Sequence, residues 1–134
     1  MILPVYSIIC KFVLIDSETK NVSYIECIER LSTSKLPRGL PSITMSSLWE
    51  KDSEVDEKIR VRVIMENPSG SKKPILSDEK LITSKRLRFN LDLAGVKIEE
   101  SGRHIFIIKY IQDKKWKTAF KLPLRIVLSK KQSK

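Results

Sequence analysis

One histidine, His104, and two cysteines, Cys10 and Cys27, are all that this chain of 134 residues offers as soft metal ligands. That is too few for a disulfide framework, a four-ligand zinc site or any His/Cys metal cluster. No metal and no cofactor is expected. A long apolar run is missing too. The N-terminal stretch "MILPVYSIICKFVLI" is interrupted by Lys11 and stops at Asp16, short of the roughly 20 residues a membrane-spanning helix needs. It has no basic segment before it and no small-residue cleavage site after it, and Ile9 before Cys10 spoils a lipoprotein signal. A cytoplasmic, unprocessed protein with no membrane partner is expected. Helical periodicity is the third absence. No window sustains apolar residues at i, i+3, i+4 and i+7, whereas alternation of period two recurs between turn residues.

The size is that of one domain with one core, able to stand without metals or disulfides. A hydrophobic fraction of 41% with 31% charged residues is that of an ordinary globular protein rather than a disordered one. A single sandwich domain over 1–128 and a short basic tail over 129–134 are expected. The formal charge of +10 is unevenly spread. Residues 1–102 carry 16 basic and 15 acidic side chains, and residues 103–134 carry ten basic side chains and one acid, Asp113. Such asymmetry points either to an anionic partner for that end or to drift in a chain where lysine outnumbers arginine 18 to 8 and isoleucine abounds.

Strands can be read one after another. Val5 to Ile15 puts Tyr6, Ile8, Cys10, Phe12 and Leu14 on one face, "DSETKN" supplies a turn, and Val22 to Leu31 returns. A turn centred between Glu18 and Thr19 sets Phe12 against Ile25, Lys11 against Glu26 and Cys10 against Cys27. Two neighbouring buried thiols, rather than a disulfide, are expected there. "STSKLPRGLPS" is a loop, and Ile43 to Trp49 is a short strand with Trp49 half-buried at the rim. "KIRVRVIME" turns Ile59, Val61, Val63 and Met65 inward, "NPSGSKK" is a turn, and "PILSDEKLIT" holds an edge strand. "RLRFNLDL" sets Leu87, Phe89, Leu91 and Leu93 against Arg86, Arg88, Asn90 and Asp92. Seven or eight such strands without repeats predict an all-β fold, a two-sheet antiparallel sandwich of immunoglobulin-like type.

The final hairpin, "HIFIIKY" with "KWKTAFKLPLRIVL", decides how the basic end reads. A two- or four-residue turn would point Lys109 inward, and an unpaired buried lysine costs several kcal/mol or loses its charge. A three-residue turn, Asp113 to Lys115, pairs Phe106 with Leu122, Ile108 with Phe120 and Tyr110 with Thr118. Trp116 and Phe120 then share the core face. The outer face carries Arg103, Ile105, Ile107, Lys109, Lys117, Lys121 and Arg125.

The sequence blocks "CKFVLIDSETKNVSYIECIERL", "LPRGLPSITMSSLWE", "KIRVRVIMENPSG" and "SGRHIFIIKY…FKLPLRIVL" together resemble the DUF6941 family of small bacterial β-sandwich proteins over nearly the whole chain. The resemblance implies a sandwich fold and brings no catalytic residues with it; the lysine-rich last hairpin departs from the family pattern.

Chemistry-bearing motifs reduce to structure. His104 has no nucleophile and orienting acid in a triad pattern, "NPSGSKK" lacks the Walker spacing and a following helix, and "EVDE", "ECIE" and "IEE" read as solvated charges. Arg60/Arg62 and Arg86/Arg88 would clamp phosphates only if their strands were neighbours. The expected function is a non-enzymatic interaction module that binds a protein partner or a sister copy through the basic and aliphatic hairpin face. The alternative is backbone-only nucleic-acid binding through the same cations and the tail lysines Lys130, Lys131 and Lys134. No small-molecule substrate is evident.

Overall fold

The computed structural model describes residues 1–129. Those residues form an all-β fold of eleven strands. A four-stranded sheet has the order β2 (Val22–Cys27), β1 (Ile2–Ile15), β5 (Thr44–Lys51), β8 (Arg86–Asp92). A five-stranded sheet has the order β3 (Arg30–Thr33), β11 (Lys115–Leu128), β10 (Gly102–Gln112), β6 (Glu57–Glu66), β7 (Lys72–Ile82). A two-stranded sheet joins β4 (Arg38–Gly39) to β9 (Lys97–Ile98).

Three expectations are corrected by this topology, the first being the seven or eight strands, which are eleven because short pairings such as Arg38–Gly39 with Lys97–Ile98 add to the long ones. There are three sheets rather than two, because the proline-rich loop, with its cis Leu36–Pro37 bond, places Arg38 and Gly39 against Ile98 and Lys97. The sheets are not purely antiparallel, because β3 runs parallel to β11. The segment Val22 to Leu31, read as one strand, breaks at Ile28 and changes sheet. The Ile28 amide donates to Ile9 O at 2.8 Å, and one residue on Glu29 O accepts from the Arg125 amide at 3.0 Å. Backbone hydrogen bonding is thus handed from one sheet to the other across two consecutive residues.

A single apolar core lies between the two large sheets. From β6 it takes Ile59, Val61, Val63 and Met65, and from β8 with the residue beyond it Phe89, Leu91 and Leu93, as the alternation predicts. Trp49 is fully buried rather than at the rim. Its ring lies 5.2 Å from that of Tyr110 and 5.6 Å from that of Phe120, both edge-on, and its Nε1 donates to Ser47 Oγ at 2.9 Å. A tryptophan whose indole N–H finds such a partner can be buried whole.

The first hairpin has the expected register, Cys10 with Cys27 and Phe12 with Ile25, closed by Asp16 Oδ1 accepting from the Glu18 and Thr19 amides at 2.9 Å. Its facing differs: Ile9 and Cys10 are both buried at mid-strand, and beyond them Phe12, Leu14 and Ile15 are exposed on both faces. Ile9, opposite Met45, joins the core, while Tyr6, Phe12 and Leu14 are exposed. Both cysteines are free, but only Cys10 is buried, so the expected pair of buried thiols is an unequal pair. Burial, and next the nearby Cys27, push the Cys10 thiol up. Glu26 takes a left-handed φ of 54°, and Lys11 lies over the Phe12 ring at 5.6 Å instead of pairing with Glu26.

β1 also curls. Tyr24 pairs with Val13, seven residues beyond Tyr6 and so about 23 Å along a straight strand, yet the two phenol oxygens are 2.9 Å apart. The hairpin therefore arches back over the outer face of its own sheet, where Arg88 donates to both hydroxyls.

Candidate interaction face

The last hairpin turns in two residues. Asp113 and Lys114 have φ of 51° and 64°, the paired positive values of a type I′ turn, whose twist matches that of the flanking strands. Gln112 consequently pairs with Lys115, Ile111 with Trp116, Tyr110 with Lys117 and Lys109 with Thr118. A bulge at Ala119 then shifts the ladder by one, so Ile108 meets Phe120 and Phe106 meets Leu122. The expected pairs at Phe106 and Ile108 are found, and Tyr110 with Thr118 is not. Phe106 and Ile108 are fully buried, and Lys109 stands on the outer face, half-buried.

The bulge redistributes the site residues. Arg103 pairs with Arg125, Ile105 with Pro123 and Ile107 with Lys121, so these share the outer face with Lys109 as expected. Lys117, across from Tyr110, leaves that face, and its end lies in solvent. Ile107 keeps only 6% of its surface, because it sits mid-sheet with Ile64 on one side and Lys121 on the other. It is therefore no contact residue. Ile105 is half-buried, and Arg103, Lys121 and Arg125 are exposed. Among the described residues none of the five cations pairs with a carboxylate. Lys130, Lys131 and Lys134 lie outside the described residues.

In exchange the face gains Trp116, which the hairpin reading had placed in the core. Its ring lies 4.3 Å from the Arg62 guanidinium carbon and 5.9 Å from that of Arg60, cation–π contacts worth about 0.5 to 1 kcal/mol each at exposed sites. The groove beside it, about 310 Å³, also receives Asp78 and Glu79 from β7. Register brings this about, since β6 sets Arg60 against Glu79 and Val61 against Asp78, while β10 sets Lys109 against Arg62. The sequence pointed to a longer turn because a two-residue turn with an unbroken ladder would bury Lys109, and the bulge at Ala119 removes that conflict. Arg86 and Arg88 lie on β8 in the other large sheet, so the two arginine pairs do not combine.

His104 is fully buried. Its Nδ1 donates to Gly102 O at 3.2 Å, and Nε2 has no partner among the described residues. Burial holds its pKa below the ordinary value, so the ring is neutral at pH 7. A neutral imidazole enclosed in this way meets no substrate. Among the described residues no group of three or more His, Cys, Asp or Glu side chains is placed to hold a metal ion, and no helix is long and apolar enough to cross a membrane.

No family model matches the chain, and no curated protein matches it. Solved structures do. A beta-glucosidase from Listeria innocua in complex with glucose is similar over 75% of this chain and 15% of its own, with a TM-score of 0.54 at 10% identity. The same enzyme in complex with isofagomine gives 0.54 at 9% identity. The Pseudomonas fluorescens alkylpurine DNA glycosylase AlkC, bound to DNA containing an abasic site analog, is similar over 73% of this chain and 27% of its own, with a TM-score of 0.50 at 10% identity. The chain thus spans about a seventh to a quarter of the proteins it is similar to, and at such identities the likeness is one of fold alone.

Proposed function

We propose that this protein is a non-enzymatic, immunoglobulin-like sandwich module of the cytoplasm that docks an anionic protein face on the outer side of its five-stranded sheet. The DUF6941 resemblance belongs to the same proposal and rests on the sequence blocks alone. The observation that carries the docking reading is the cationic row of Arg103, Lys109, Lys121 and Arg125 without ion-pair partners among the described residues, ending at the mixed-charge groove of Arg60, Arg62, Asp78 and Glu79. Protein surfaces offer both signs within a few ångströms, whereas a phosphate backbone offers one. Self-pairing through the free edge of β7 is disfavoured by Lys72, Lys73, Pro74 and a bulge at Val63/Ile64.

The test is a partner recovered by affinity purification from the native host, then rebound by Ile105→Ser and Lys121→Glu variants. Binding should fall at least tenfold with the melting temperature unchanged. Unaltered binding by the double variant overturns the reading.

Single-strand nucleic-acid binding is the second reading, and Trp116 favours it. Half-buried on the outer face beside two guanidiniums, it is the kind of side chain on which bases stack. A gel shift with a single-stranded oligonucleotide at low salt checks this. Trp116→Ala should weaken any complex, and no shift at micromolar protein removes the reading.

A further inference from the structure

We infer that the seam between the two large sheets holds a binding site for a small phosphate monoester with an apolar body. The inference requires no protein partner, although it uses Arg103 and Arg125 of the same cationic row. Arg125 pairs with Arg103 on one side and with Arg30 on the other, which puts three arginines in one row across β10, β11 and β3, about 10 Å from end to end at ordinary strand spacing. Like charges directly opposite one another weaken a sheet. Among the described residues none of the three pairs with a carboxylate. The row therefore carries a standing repulsion that a bound anion would relieve.

Two of these arginines line a cleft. Before β3 begins, the edge of β11 is uncovered, and β1 approaches it across an open cleft of about 360 Å³ lined by Arg103, Arg125, Ile8, Ile28 and Leu122, a volume suited to a small organic molecule. Ser7 and Cys27 also line it, and so does one acid, Glu29. In the lining two positive charges face one negative, and Arg30 stands next to Arg125 on the neighbouring strand, an excess that a phosphate dianion offsets better than a carboxylate. Guanidinium forks match phosphate oxygens two at a time. The isoleucine and leucine surface opposite gives the remainder of the ligand an apolar bed. Cations spread along a solvated face would not produce that combination.

Amide chemical shifts of the full chain, followed while phenyl phosphate is added, test this. Saturable shifts at Cys27–Arg30, Arg103, Leu122, Leu124 and Arg125 are expected. Inorganic phosphate should bind at least tenfold more weakly for want of the apolar body, and benzyl alcohol should leave the spectrum unchanged. Arg125→Gln and Arg103→Gln should each weaken phenyl phosphate at least tenfold, while Lys35→Gln should not. If one arginine variant fails to fold, the other carries the comparison. Shifts spread evenly over all surface cations, an arginine variant that binds like wild type, or phenylacetate binding as tightly as phenyl phosphate would each overturn the assignment.

Discussion

The first and last hairpins look alike in sequence and behave oppositely. Each carries aromatic and aliphatic residues along its strands, with lysine once in the first, Lys11, and repeatedly in the last, and each closes through a turn with left-handed residues, Lys20 in one and Asp113 with Lys114 in the other. In β1–β2 the expected register is found, but the core face at Ile9 is not the one read, and beyond Cys10 the hairpin leaves the core, so Phe12, Leu14 and Ile15 stand in solvent. In β10–β11 the expected face is found for Phe106 and Ile108, reached by a shorter turn and a bulge. Register is a property of the two strands and their turn. Face is set by the third strand and by what the sheet packs against: β5 draws Ile9 onto Met45, and β6 draws Phe106 onto Met65.

The largest expected effect compares one phenylalanine from each hairpin. Phe106→Ala removes a fully buried ring from the core and should cost about 3 to 5 kcal/mol in urea unfolding. Phe12→Ala, at 52% exposure, should cost about 0.5 kcal/mol or less. Equal costs would break the contrast.

The turn comes next. Lys114 at φ 64° bears the left-handed strain that glycine avoids, so Lys114→Gly should stabilise by about 0.5 to 1 kcal/mol after the entropy of the freer unfolded chain is subtracted. A three-residue turn would instead place the left-handed residue at position 115. Lys115→Gly would then be the stabilising change, and a shift in the melting temperatures decides between them.

What was legible in the sequence follows from the same contrast. The inward residues of β6 were legible because one solvated face and one buried face leave a clean alternation, as in Ile59, Val61, Val63 and Met65, and those of β8 nearly so. The residues of β1 are apolar on both faces, and periodicity cannot choose between them. The crossover at Ile28 and the two-residue pairing of Arg38 and Gly39 with β9 carry no pattern long enough to register. At the candidate face, Arg103, Lys121 and Arg125 were placed by alternation. Trp116 and Lys117 exchanged faces because the bulge at Ala119 is marked by no glycine or proline.

His104 supplies a smaller, pH-dependent effect in the last hairpin. Burial, only partly countered by the bond to Gly102 O, depresses its pKa in the folded chain. The unfolded chain, with a pKa near 6.5, therefore takes up a proton first as pH falls. Stability from this group is complete above about pH 6.5 and is lost below it, down through the folded pKa. His104→Leu should flatten unfolding free energy against pH between about 6.5 and 5. An unchanged slope would show that the ring is protonated within the fold.

The smallest expected effect lies at Lys109, whose orientation holds the reading of the basic stretch together. It stands across from Arg62 on one side and Thr118 on the other, half-buried, with no carboxylate partner among the described residues. Such a lysine lays its methylenes along the sheet and keeps its ammonium in water. Lys109→Ala should thus lose a little stem packing, gain some relief from Arg62, and change stability by no more than about 0.5 kcal/mol in either direction. Lys109→Met separates the two contributions, since it keeps the stem and drops the charge, and it should be neutral or slightly stabilising at low salt, with the gain fading as salt screens Arg62. A loss above about 2 kcal/mol from either change would mean that Lys109 supports the core from beneath. The hairpin would then resemble the first one, with its face set the other way.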